Sequence, residues 1–154
     1  MYRHILTLID CTDESRRLAQ AVADYFALQT LCKVTVAACV SATPDGAPAE
    51  VRTKKVEHAE EALQGAYDIL LRSGIMARRR LVLEGDDFAA SVAAAADNPD
   101  QGYDLIVLGT HHARVEEFEP PCRGSIADAV IRRAPVPVLV LPTGPGAPHV
   151  AKPW

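Results

Sequence analysis

The chain has 154 residues, a length that suits one domain around a single core. A composition of 49% hydrophobic and 23% charged residues argues against both a disordered chain and a membrane-spanning one. The formal net charge of −4 lacks the basic footprint that nucleic-acid binding needs, and the one basic run, Arg78-Arg79-Arg80, reads as a solvated corner where a strand begins.

Met1-Tyr2-Arg3-His4-Ile5 enters a strand-like run with no basic leader or apolar h-region, which predicts a cytoplasmic protein. Ile5 to Ile9 is a short, nearly continuous apolar run and predicts a first strand buried on both faces of a parallel sheet. Thr12 is the expected cap of the next helix, with Asp13 and Glu14 against the positive end of its dipole. Leu18, Ala21, Val22, Tyr25 and Phe26 form the expected apolar stripe of that helix. Val34 to Ala38 is the second strand, followed by a turn-rich loop from Ser41 to Pro48. A long helix then carries Val56, Ala59, Leu63, Ala66 and Leu70 on one face, and Gly74 is placed to stop it in a left-handed conformation.

Arg80 to Glu84 predicts the third strand, and Asp86 the cap of a helix bearing Phe88, Val92, Ala95 and Ala96. Tyr103 to Leu108 predicts the fourth strand, which runs into Gly109 and a loop long enough to break the βα rhythm. The fourth helix is expected over Ile126 to Arg133, with Ser125 and Asp128 at capping-box spacing. Val136 to Leu141 is the fifth strand; Pro137 cannot donate to a ladder, so this strand is expected at a sheet edge, where a second copy can pair. Residues 143–154 predict an irregular tail. Five strands alternating with four helices define an α/β fold, a doubly wound five-stranded parallel sheet with helices on both faces.

In such sheets ligands bind beyond the carboxyl ends of the strands, where the winding reverses. Asp10 stands there, able either to accept hydrogen bonds from a ribose or base or to tie the βα turn. Gly124-Ser125 opens a helix, where free amides and the dipole suit an anion, though a serine there also serves as a plain cap. His111-His112 with Cys11 and Cys122 admits a soft-metal or redox site, against solvent-exposed loop histidines and a buried thiol. The four cysteines match no C-x-x-C spacing.

Taken in order, Met1 to Leu6 with Asp10, Glu84-Gly85-Asp86, Asp104 to His111, Gly124-Ser125 and Ala134 to Val140 resemble the universal stress protein family over about residues 1–142. The resemblance implies a Rossmann-like sheet of the adenine nucleotide alpha hydrolase type, a homodimer through the last strand, and an ATP or AMP site, with magnesium as a possible companion. In family members an aspartate after the first strand and backbone after the second hold the nucleoside, while a G-x-x-G, nine residues, then G-S/T loop holds the phosphates. Carried over by motif, this nominates Asp10, Val40, Gly109, His112, Gly124 and Ser125, with His112 standing where the loop's second glycine belongs.

Other departures accompany it. Eleven residues separate His112 from Gly124, Cys11 replaces a usual glycine, and Arg114 and Arg123 are outnumbered by Glu116, Glu117 and Glu119. A Cβ at 112 would crowd a backbone that must approach phosphate. The alternative is therefore a nucleotide-free, dimeric interaction protein with a degraded phosphate loop. No P-loop, G-x-G-x-x-G or G-x-S-x-G motif is present, so P-loop NTPases, dinucleotide oxidoreductases and α/β-hydrolases are disfavoured. The chain offers no organised nucleophile and base, and any ATP turnover is expected to be slow.

Overall fold

The computed structural model describes residues 2–10, 12–28, 31–110 and 126–144. In chain order the elements are β1 (His4–Ile9), α1 (Asp13–Phe26), β2 (Lys33–Val40), α2 (Ala49–Arg72), β3 (Met76–Glu84), α3 (Phe88–Ala96), β4 (Leu105–Gly109), α4 (Ile126–Arg133) and β5 (Val138–Leu141). The strands form one sheet in the order β3-β2-β1-β4-β5, every pairing parallel. β5 lies at an edge, as Pro137 implies, and it starts only after that proline, at Val138 rather than Val136.

Period-two alternation in β1 divides the core. Ile5 and Ile9 join Leu18, Val22 and Phe26 of α1 and Leu63 and Leu70 of α2 on one face. Leu6 and Leu8 meet Val92 of α3 and Val130 of α4 on the other. Helices therefore cover both faces, and β1 is buried on each, which is why its sequence is a run rather than an alternation.

Several local expectations shift. The buried stripe of α1 is Ser15, Leu18, Ala19, Val22, Ala23 and Phe26, whereas Tyr25 is 49% exposed. Two alanines on that stripe let the helix lie close to the sheet and turn the bulkier Tyr25 outward. Thr12 is the N-cap by backbone position but makes no side-chain cap, and its hydroxyl donates to Asp10. Asp87, not Asp86, caps α3, accepting from the Ala90 amide at 3.1 Å, while Asp86 accepts from the Ala42 amide. β3 begins at Met76, before the predicted Arg80, and β4 begins at Leu105, after the predicted Tyr103. Gly74 does end α2, with φ +79°.

Asp87 also accepts from Arg133 of α4, and that hydrogen bond, followed by the one from Ala90, holds its carboxyl below the usual range. A carboxylate whose folded pKa is depressed contributes stability above its unfolded pKa and loses it as pH falls through the folded value. Asp87→Asn is accordingly expected to flatten the acid side of the pH–stability profile and to leave the profile unchanged in shape above neutrality, as read by thermal melts from about pH 2 to about pH 9.

Candidate functional site

The strand order reverses between β1 and β4, so the crevice that open α/β sheets use for ligands lies beyond Ile9 and Gly109. Three of the nominated residues fall on that rim. Asp10 follows β1 directly. Its Oδ1 accepts from the Thr12 amide at 2.9 Å, from the Thr12 hydroxyl and from Ser15 Oγ at 2.8 Å, while its own amide donates to Ser15 Oγ at 2.6 Å. The first of these closes an Asx turn. Ser15 is buried, so the carboxylate and the hydroxyl satisfy one another where water has little access. The turn-tying role of Asp10 is thus explicit, and the sequence did not single out Ser15.

Val40 closes β2 and stands opposite Glu84 of β3. Its carbonyl accepts from the Gly85 amide at 3.0 Å. Gly85 has φ +152°, and an added Cβ there would meet Ser91 Oγ at 3.0 Å. The clasp depends on the missing side chain: Gly85→Ala is expected to destabilise the fold by more than about 1 kcal/mol, because alanine is strained at such a φ, and chemical denaturation measures it. Beside Val40 a cavity of about 450 Å³ is lined by Val40, Ser41, Lys54, Lys55 and His58. Lys55 Nζ donates to Ser41 Oγ at 2.9 Å, and Arg52 forms a two-bond ion pair with Glu84, neutralising the carboxylate at the neighbouring strand end.

Gly109 ends β4, is buried and pairs with Leu141 of β5. The chain next to it is braced by a contact that sequence reading did not anticipate. Thr110 Oγ1 accepts from the Thr143 amide at 3.0 Å and lies 3.2 Å from its hydroxyl, and Arg17 of α1 donates to the Thr143 carbonyl. Thr143 is fully buried, so packing continues past β5 into the irregular segment. His112, Gly124 and Ser125 lie outside the described residues, as do His111, Cys11 and Cys122 of the candidate metal or redox site. Among the described residues no group of three or more His, Cys, Asp or Glu side chains could hold a metal ion. Cys39, near the same rim, has its thiol pushed up to about 12 by burial, which disqualifies it as a nucleophile near neutral pH. Among the described residues no helix is long and apolar enough to cross a membrane.

A five-stranded, doubly wound parallel sheet with an acid after β1 and a glycine closing β4 defines an α/β fold of the Rossmann-like kind. Residues 1–142 match the universal stress protein family, and the chain belongs to that family. Among solved structures it resembles a protein of the universal stress protein family from Burkholderia pseudomallei, with 26% identity, coverage of 92% of this chain and 96% of that one, and a TM-score of 0.69. A universal stress protein solved in complex with cAMP is 20% identical, with coverage of 93% and 99% and a TM-score of 0.72. The universal stress protein from Archaeoglobus fulgidus in complex with dAMP is 21% identical, with coverage of 91% and 97% and a TM-score of 0.61. The last two likenesses concern the fold. No curated protein matches the chain closely enough to count as a relative.

Proposed function

We propose that this chain is a binding module of the stress response that takes an adenine nucleotide, ATP or AMP, at the carboxyl ends of β1 and β4. The observation that carries the reading is the placement of Asp10 and Gly109 at the strand ends where the winding reverses, with Val40 at the same end of the adjoining β2. The cAMP and dAMP complexes of similarly folded family members support the choice of adenine. Gly124 and Ser125, by motif, supply the phosphate contacts, and magnesium belongs to this reading only as the counter-ion of a triphosphate. Binding rather than catalysis is the proposed role, because the Thr12 and Ser15 hydroxyls that meet the Asp10 carboxylate are engaged in tying the βα turn.

A second copy of the chain is proposed on β5. That strand is an edge, Val138 and Val140 are half-buried, and Ile131 of α4 is 52% exposed. Light scattering that returned the mass of one chain at micromolar concentration would remove the dimer from the reading.

A thermal-shift titration with ATP and AMP, with and without magnesium, tests the nucleotide. A ligand at about 100 times its dissociation constant adds about 2.7 kcal/mol to the native state. A saturating rise that disappears in Gly124→Ala is the expected result. No shift at millimolar nucleotide would sink the adenine reading and leave a nucleotide-free interaction protein.

A further inference from the structure

The arginine run Arg78-Arg79-Arg80 has no part in the nucleotide reading, and it lies toward the amino end of the sheet, opposite the rim just described. Here β3 pairs with β2 through an irregularity. Ala77 stands opposite Val34 and Arg79 opposite Thr35, so Arg78 is the extra residue of a bulge. Bulges bend a strand, re-aim the side chain they carry, and occur often beside binding sites.

The covering helices differ as well. α2, on one face, has 24 residues, roughly 36 Å of helix, whereas α3, on the other, has 9, roughly 13 Å. The short α3 does not run the length of the sheet, and the amino end on its side is bordered instead by the segment from Asp100 to Tyr103. A cleft of about 240 Å³ occupies that position, lined by His4, Lys33, Thr35, Arg78, Asp100 and Gln101. It adjoins a second hollow that shares His4, Lys33 and Gln101.

One wall of the cleft is fixed. His4 Nδ1 donates to the Gln101 carbonyl at 2.7 Å, and Nε2 hydrogen-bonds with the hydroxyl of the fully buried Thr35 at 2.9 Å. The Tyr103 ring packs on the imidazole with centroids 4.3 Å apart. The charged groups, by contrast, are uncommitted: the side chains of Lys33, Arg78 and Asp100 make no hydrogen bond or ion pair with any described residue. Two basic residues and one acidic residue thus line a hollow smaller than the roughly 300–1,000 Å³ of drug-sized pockets.

We propose that this cleft binds a small zwitterion with more carboxylate than ammonium, the chemistry of a free acidic amino acid. The planar fork of Arg78 suits one carboxylate in two-bond geometry and Lys33 the other. Asp100 takes the ammonium group. Neither the nucleotide rim nor the β5 edge takes part.

The test is isothermal titration of the full-length protein with L-glutamate and L-aspartate, using glutarate as the analogue without an ammonium group. Saturable binding of an acidic amino acid in preference to glutarate is expected. Arg78→Ala should weaken it at least about tenfold, the scale of a lost charge-assisted pair. Asp100→Asn should abolish the preference over glutarate. Both residues are exposed, and unchanged melts will show that the variants fold. Absence of binding at millimolar amino acid, equal affinity in Arg78→Ala, or a preference that survives Asp100→Asn would each overturn the proposal.

Discussion

Phe26→Ala is expected to lower the free energy of unfolding by about 3–5 kcal/mol, the range for truncating a fully buried aromatic side chain. Phe26 ends α1 with no exposed surface. Its ring meets Tyr2 edge-on at 6.4 Å and Tyr25 at 5.0 Å, within the cluster that joins α1, α2 and the sheet. The chain has only three phenylalanines and one tryptophan, so few large rings share the burden of filling its core. Tyr25→Ala is the matched comparison. It removes a neighbouring ring that is half in solvent, and it should cost less than about 1.5 kcal/mol, near the aromatic-pair contribution. Urea unfolding separates the two. A lower midpoint with unchanged slope for Phe26→Ala marks a loss of packing in the native state. A loss below that of Tyr25→Ala would mean that the α1–α2 layer does not pack on β1 in this way.

What the sequence makes legible follows from how much of the signal is burial. β1, β2 and β4 are central, and buried strands are written as apolar runs that need no tertiary knowledge to read. α4 is legible to the residue because the Ser125/Asp128 spacing marks its start and Pro135 bars its continuation. β3 is foreshortened in the sequence for the opposite reason. As an edge strand with a bulge, it carries arginines where a central strand would carry valine. The rotation of α1 toward Ala19 and Ala23 is similarly hidden, since alanine scores weakly in any apolar pattern yet permits the closest approach.

At the site, position along the chain predicted which residues reach the rim, but not what their polar atoms do there. Asp10, Val40 and Gly109 arrive at the strand ends as expected. The Val40 carbonyl is occupied by the Gly85 amide, and Asp10 Oδ1 by donors from Thr12 and Ser15. Such pairings depend on angles between neighbouring loops, and residue type alone does not encode them. If a base is read by backbone after β2, the Val40 carbonyl can offer only its second lone pair, beside the bond from the Gly85 amide. The His4–Thr35 bond is still further from sequence reading, joining residues 31 positions apart through a histidine that looks like an ordinary strand opener.

Asp10 has two roles under the nucleotide proposal, and a pair of variants separates them. Asp10→Ala removes the acceptor of the Asx turn and the partner of a buried hydroxyl, which should destabilise the unliganded protein by about 1–3 kcal/mol, the penalty for orphaned polar groups. Ser15→Ala loosens the same turn while leaving the carboxylate in place, so its melting temperature should fall as well. The two are expected to part company when ATP is added. Ser15→Ala should keep most of the nucleotide-dependent rise in melting temperature, and Asp10→Ala should lose it, because only the latter lacks an acceptor for ribose hydroxyls. Asp10→Asn refines the comparison, since its amide oxygen can still accept from the Thr12 amide while the negative charge is gone. Retention of the full ATP response in Asp10→Ala would confine this residue to the turn and move nucleoside recognition to Val40 and its cavity. Equal loss in Asp10→Ala and Ser15→Ala would instead make the integrity of the turn, rather than the carboxylate, the condition for binding.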